Sequence, residues 1–263
     1  MKIICWNIRG LGNPREVRRL LFSLKQQNPQ MVFFMETKIN EKWMKKIRRR
    51  CGFGNGIDVS AEGSRGGICL AWKEDIQVSL KIFSLTHIDV LVKGENITDE
   101  WRFKGFYGSP YIQNKNVSWN LLRNLGKESD HPWLVGGDFN EIMYSFENSG
   151  GQQREEKMME AFREVLEECH LTDVGYTGVW FTWERGNMAE TNIRERLDRD
   201  VANEKWIKLF PRGNVHHLTS SLSDHCPLLI NTTIGYNFMG IPKFKFEAWW
   251  TIEESLEQEV KKM

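Results

Sequence analysis

The apolar side chains of this 263-residue chain gather in runs of three to five, each stopping at a polar residue. Ile3–Trp6, Met31–Met35, Trp133–Val135 and Pro227–Ile230 are the clearest. Runs of this length are too short for buried helices and read as buried strands. Helix signals lie between them. Asn13 is a cap residue, Pro14 suits the first helical position, and Glu16 follows the cap by three; Val17, Leu20, Leu21 and Leu24 then form an apolar stripe. A basic segment with helical propensity covers about 40–50, and helices are expected near 114–126 and 154–168. The last has Glu155 and Glu156 near its positive end and Met158, Phe162, Val165 and Leu166 on one side. From 67 to 107 the period falls to two, with Ile76, Val78, Leu80 and Ile82, then Trp101, Phe103 and Tyr107 around Gly105, which predicts half-buried antiparallel strands. Shorter strands are expected near 179–184, 214–218 and 227–232. Strands and helices mixed in this order predict an α/β (α+β) domain of two sheets packed face to face, with helices outside.

Composition narrows the classes. A chain that is 40% apolar and 27% charged can bury a sizeable core without disulfide or metal staples. The 36 basic and 35 acidic side chains leave a net charge of +1, so any nucleic-acid footprint must be local. Five scattered cysteines without a C-x-x-C spacing disfavour a disulfide framework and a structural zinc, and point to a reducing interior, nuclear or cytoplasmic. No apolar run approaches the roughly 20 residues that span a bilayer, and the N-terminal run is too short for a secretory signal. The compact unit is expected to cover 1–233. In 234–263, Gly235, Gly240 and Pro242 mark a hinge before a tail carrying Trp249 and Trp250. That tail either packs against the domain or leads toward a continuation or a partner.

The chemistry is concentrated where the strands stop. Asn7 follows Ile3–Trp6, Glu36 follows Met31–Met35, Asp138 and Asn140 follow Trp133–Val135, and Asp224-His225 precede Pro227–Ile230. Strand ends on one side of a sheet can converge into one pocket. Asn, Asp and Glu oxygens suit a hard cation such as magnesium, and a histidine paired with a second carboxylate suits proton transfer or stabilisation of developing negative charge. Together these groups predict phosphate-ester hydrolysis.

The strings Cys5-Trp6-Asn7-Ile8-Arg9-Gly10-Leu11, Met35-Glu36-Thr37-Lys38, Gly137-Asp138-Phe139-Asn140, Arg196-Leu197-Asp198 and Ser223-Asp224-His225-Cys226-Pro227-Leu228 occur in this order. As an ordered set over about 1–233 they resemble the endonuclease/exonuclease/phosphatase superfamily. With Phe181-Thr182-Trp183, the chain is most similar to the apurinic-type endonuclease domain that opens plant LINE-type (non-LTR) retrotransposon polyproteins. The resemblance implies a four-layer αββα sandwich of two mixed sheets flanked by helices. It also implies roles. Glu36, with Asn7 beside it and Asp224 as a further acid, would hold the metal, magnesium or manganese. Asp138 would orient and deprotonate the attacking water, Asn140 would hold the phosphate, and Tyr107 would donate to it. His225 would stabilise the transition state, and Asp198 would fix its tautomer. Thr182, Trp183, Ser223 and Arg196 would lie toward the substrate. The implied activity is nicking of one strand of double-stranded DNA to leave a 3′-hydroxyl that primes reverse transcription, by a monomer with no membrane partner and possible continuity with a reverse transcriptase region.

Three positions depart from the family pattern, one of them Met35, which precedes Glu36 where glutamine is common. Arg9 stands where apurinic enzymes often place an acidic metal-site residue, and Pro110 replaces an asparagine of their Tyr-x-Pro-Asn string, which makes plain backbone nicking the expected activity. Basic clusters at Arg15, Arg18 and Arg19, at Lys45, Lys46, Arg48, Arg49 and Arg50, and at Arg194, Arg196 and Arg199 offer phosphate contacts, although charge runs are commonly solvated helix faces. The rival readings are a small-molecule phosphatase of the same superfamily, acting on an inositol phosphate or sphingomyelin, and a catalytically inactive nucleic-acid-binding remnant.

Overall fold

The structure, a computed structural model, describes residues 1–94, 100–127, 130–186, 188 and 191–232. The hinge and tail expected over 234–263 lie outside the described residues. Strand Lys2–Asn7 pairs in parallel with Met31–Met35 and antiparallel with Leu228–Asn231. These form the centre of a seven-stranded mixed sheet that extends through Arg65–Trp72 to Asn55–Glu62 on one side, and through Asn214–His217 to Thr177–Gly178 on the other. A second, six-stranded sheet runs in space from Thr172–Asp173 through Asp198–Ala202, Trp133–Asp138, Trp101–Tyr107 and His87–Gly94 to Ile76–Phe83. Trp101–Tyr107 and Trp133–Asp138 are parallel there, joined by the crossover helix Lys115–Lys127.

Side-chain parity builds the layers. Ile3 and Cys5, Met31 and Phe33, Trp101 and Phe103, and Leu134 point into one core shared by the two sheets. The alternate residues Ile4, Trp6, Val32 and Phe34 point outward onto Val17, Leu20 and Leu24 of helix Pro14–Gln27 and Met44 and Ile47 of helix Glu41–Arg50. On the far side, Trp133, Val135 and Phe106 pack on Trp119 and Leu122 of Lys115–Lys127 and Phe162, Val165 and Leu166 of Glu156–Glu168. The result is the expected αββα sandwich, and its central strands are apolar on both faces because both faces are covered. The sheets approach so closely that Gly105 has Phe33 pressed where a Cβ would stand.

Local chemistry sets the helix starts. Asn13, Asn40 and Asn203 each cap a helix, their side-chain oxygens accepting from Arg15, Trp43 and Trp206 amides respectively. Asn203 does more. Its Oδ1 also accepts from the Trp133 amide at 3.0 Å, and its Nδ2 donates to the His131 carbonyl at 3.1 Å, tying the helix start to the strand beside it.

Several expectations change. The stretch 67–107 divides between the two sheets: Arg65–Trp72 belongs to the first and Ile76–Tyr107 to the second. Strand Ile76–Phe83 is an edge, so only Ile76 of its apolar set is buried, and Leu80 and Ile82 are exposed beside a register shift. Asn55–Glu62 is a strand that the neighbouring glycines disguise. Gly56 leaves the space through which Arg48 reaches Asp58 at 2.9 Å. Instead of one strand over 179–184 there are two short ones, Thr177–Gly178 and Trp183–Arg185, in different sheets. All five cysteines are free, and among the described residues no helix is long and apolar enough to cross a membrane.

One inward-facing group is uncompensated. Asp200 is buried between the sheets behind Asp198, and neither carboxyl oxygen has a hydrogen-bond partner. Burial, then the nearby carboxylates of Asp173 and Asp198, raise its pKa well above 3.8. A carboxyl whose folded-state pKa is raised loses stabilising protonation as pH climbs above its unfolded pKa. Asp200→Asn is therefore expected to melt higher than the wild type at pH 8, by about 2–4 °C for each kcal/mol relieved, with the gap closing near pH 4. Scanning calorimetry across that range checks it. Urea unfolding should show Asn40→Ala costing about 1 kcal/mol, and Asn203→Ala costing more because it also orphans the Trp133 amide.

Candidate active site

The inner faces of strands Lys2–Asn7, Trp101–Tyr107 and Trp133–Asp138 stay apolar until their last residue. Following the parity of Ile3 and Cys5 gives Asn7, that of Trp101 and Phe103 gives Tyr107 beyond Gly105, and that of Leu134 gives Asp138 beyond Gly136. Strand register lines up the second sheet's contribution: Tyr107 and Asp198 lie on either side of Asp138, each directly opposite it. In the first sheet Asn7 lies opposite Met35, and Glu36 follows at once. The chain turns sharply there. Of the six non-glycine residues with positive φ among those described, Arg9, Glu36, Lys38 and Asn140 all belong to this region. Such backbone is costly and persists where surrounding contacts enforce it, commonly at functional sites.

Glu36 is the hub of one half. Its Oε1 accepts from the Tyr107 hydroxyl at 2.8 Å and from Asn7 Nδ2 at 3.3 Å. Its Oε2 lies 3.0 Å from Lys38 Nζ and 3.6 Å from Arg9 Nη1. Burial opposes ionisation of Glu36, but Arg9, Tyr107 and Lys38 outweigh it and hold the pKa below the ordinary carboxylate value. Tyr107 moves the other way, raised by burial and by the Glu36 and Asp138 carboxylates, so its hydroxyl stays a donor. Asn7 Nδ2 also donates to Asp138 Oδ2 at 2.9 Å, joining the two sheets' carboxylates through one amide.

Asp138 and His225 form the other half. The Asn140 amide donates to Asp138 Oδ1 at 2.8 Å, and Asn140 Nδ2 donates to the Gly108 carbonyl at 2.9 Å. His225 Nδ1 lies 2.8 Å from Asp198 Oδ2 and 3.9 Å from Asp138 Oδ2. Burial alone would lower the His225 pKa, yet Asp198, then Asp138 and Asp224, lift it to about 9. Burial and the Asp198 charge raise Asp138 to about 7 against the opposing pull of His225, Asn7 and the Asn140 amide. This pair therefore combines a near-neutral carboxyl with an imidazolium.

Asp224 holds a different position. Its Oδ1 accepts from Arg9 Nε at 2.9 Å and its Oδ2 from the Trp183 indole at 3.0 Å, with its pKa lowered despite burial by Arg9 and His225. Ser223 Oγ donates to the Asn7 carbonyl at 2.7 Å and accepts from the His225 amide at 3.1 Å, so it fastens the Asp224-His225 turn to the first strand. Thr182 is fully buried, its hydroxyl receiving the Leu197 and Asp198 amides at 3.0 and 2.9 Å. It supports Asp198 from behind. Arg196 is buried too, paired with Glu147 at 3.0 Å and Asp173 at 2.8 Å, and Arg199 shares both acids. Thus Arg196 does not face a substrate, and of the Arg194, Arg196 and Arg199 cluster only Arg194 is exposed. Lys38, given no role from the sequence, reaches Glu36. Its signal was adjacency to the strand end.

The residues present fit a hard divalent cation: Glu36, Asp138 and Asp224 supply carboxylate oxygens, Asn7 turns its amide nitrogen to Glu36 and Asp138, and Arg9 links Glu36 to Asp224. Asp138, Asp198 and His225 offer a second set of ligand atoms within 4.8 Å of one another. The His225–Asp198 hydrogen bond already commits that set, which favours the Glu36 side. From Glu36, Tyr107 and Asn140 a cavity of about 780 Å³ runs outward past Lys38, Arg65 and Tyr111.

Residues 4–225 match the Endonuclease/Exonuclease/phosphatase family. Among solved structures, the fold is similar to the endonuclease domain of TRAS1, a telomere-specific non-LTR retrotransposon, with TM-score 0.64 and 13% identity over 89% of this chain and 99% of that one. It is similar to an AP endonuclease from Archaeoglobus fulgidus, with TM-score 0.67 and 18% identity over 89% and 100% of the two chains. The 3′-5′ exonuclease NExo from Neisseria meningitidis matches with TM-score 0.66 and 17% identity over 88% and 99%. A match covering most of the described fold, together with oxygen donors and a buried imidazole–carboxylate pair at the ends of its two sheets, makes this chain a member of the endonuclease/exonuclease/phosphatase family of metal-dependent hydrolases.

Proposed function

We propose that this protein is a magnesium-dependent DNA endonuclease that cuts one strand of a duplex, leaving a 3′-hydroxyl and a 5′-phosphate. The observation that carries this reading is the pairing of His225 Nδ1 with Asp198 at 2.8 Å beside a raised Asp138, with Glu36 across the Asn7 amide. Likeness to a retrotransposon endonuclease domain and to AP endonucleases supports DNA as the substrate class and priming of reverse transcription as its use. A nuclear site of action follows from that use.

Asp138 is the general base. A carboxyl near pKa 7 accepts a proton from water more readily than an ordinary carboxylate. Asn140 lies next to it and can exchange its Gly108 contact for a phosphate oxygen. His225, protonated and with Nδ1 occupied, presents Nε2–H to the charge that develops on the phosphorane oxygens. Glu36, with Asn7 and Asp224 nearby, would hold the magnesium ion, which supplies charge neutralisation at the phosphate and leaving oxygen. Tyr107 keeps Glu36 oriented and can donate to the same phosphate. Trp183, anchored by Asp224, lines the approach for the strand.

Supercoiled plasmid supplies the test. With magnesium the wild type should convert it to open circles, and chelator, Asp138→Asn or His225→Gln should each reduce the rate by about a hundredfold or more with little change in melting temperature. Nicking that survives chelation or both substitutions contradicts the site, and release of phosphate from an inositol phosphate without nicking would favour the phosphatase alternative. The kcat profile should rise through a carboxyl near pH 7, which a bound cation shifts downward, and fall near pH 9 as His225 loses its proton. Asp198→Asn should move the alkaline limb toward lower pH because the largest charge holding the imidazolium is gone.

A further inference from the structure

Resting on the metal-dependent reading above, we propose that Arg9 is a resident counter-ion for the cation site: its guanidinium bridges Glu36 and Asp224 and must leave before a divalent cation can bind there. The contacts are direct. Arg9 Nε lies 2.9 Å from Asp224 Oδ1, and Nη1 lies 3.6 Å from Glu36 Oε2. With Lys38 at 3.0 Å on the same Glu36 oxygen, two positive charges already balance the two carboxylates. Guanidinium cannot shed its proton, so the only way to vacate the gap is movement.

The geometry allows that movement. The Arg9 side chain is 38% exposed and borders the cavity that leads away from Glu36. Its backbone is held instead, in the left-handed region at φ 52° with the amide donating to Asn7 Oδ1 at 3.2 Å, so the root is fixed while the guanidinium is held by the two carboxylates. A divalent cation approaches a carboxylate oxygen to about 2.1 Å and would be in repulsive contact with a guanidinium on the same acids. Swung into the cavity, the guanidinium meets an incoming phosphodiester, which it can grip with two parallel hydrogen bonds. Cation entry and phosphate binding thereby favour one another through a single side chain, and the cost of displacing Arg9 weakens cation binding when no DNA is present.

Titration of Mn2+, followed by loss of the free-ion electron paramagnetic resonance signal, tests this without turnover. Asn tolerates positive φ, so Arg9→Asn preserves the backbone, and Arg9→Gln is a second variant with a longer side chain. Arg15→Asn, an exposed arginine of the first helix, controls for the change in net charge. Both Arg9 variants should bind Mn2+ about tenfold tighter than the wild type, while Arg15→Asn should not. A non-hydrolysable phosphorothioate duplex should tighten Mn2+ binding to the wild type and lose that effect in Arg9→Asn. Unchanged or weaker affinity in both Arg9 variants overturns the counter-ion role while leaving the metal-dependent nuclease intact. Failure of every form to bind Mn2+ overturns both.

Discussion

Two sheets share one core, and three of the strands that build it, Lys2–Asn7, Trp101–Tyr107 and Trp133–Asp138, turn polar at their final residues. That change of character is the constraint on which the site depends. Ile3 and Cys5, or Trp101 and Phe103, must face inward to bury their surface, and strand alternation then forces Asn7 and Tyr107 to face inward as well. The hydrophobic effect thus fixes the direction of groups that are themselves polar. Register completes the placement by setting Tyr107, Asp138 and Asp198 in one row across three neighbouring strands. No loop has to find its position unaided, except the Asp224-His225 turn, which Ser223 and the Trp6 indole tie to the first strand.

Burying acids at such a junction has an energetic cost, and the structure distributes it unevenly. Glu36 is compensated by four donors, whereas Asp138 is compensated only in part and is raised toward neutrality. The residual penalty raises the Asp138 pKa, as the base role proposed for it requires. Asp198 lies 2.8 Å from His225 Nδ1 and is the charge that most favours the imidazolium. Asp200, two residues further along the same face, has no such partner and no position at the rim. It shows what the same burial does without compensation.

Much of this was legible in the sequence because it depends on local signals. Apolar runs ending at Asn7, Glu36 and Asp138 marked strand ends, and Asn13-Pro14 marked a helix start. What escaped depends on residues far apart in the chain. Arg196 reads as a basic group near a substrate loop, but its partners Glu147 and Asp173 lie 49 and 23 positions away. Thr182 reads as a loop residue, and only the fold brings the Leu197 and Asp198 amides to its hydroxyl. Strand Asn55–Glu62 was hidden by Gly56, whose small size serves the passage of Arg48 and not a turn. Exposure of Leu80 and Ile82 follows from an edge position that alternation alone cannot report.

On the proposed reading the cation sits with Glu36, on the first sheet's side of the Asn7 amide, and leaves the His225–Asp198 pair to act on the phosphate. Anomalous scattering at the manganese edge, from crystals saturated with Mn2+, locates the ion directly. One strong peak is expected within bonding distance of a Glu36 carboxylate oxygen. A peak seated between Asp198 and His225, with Glu36 still paired to Arg9 and Lys38, would contradict it.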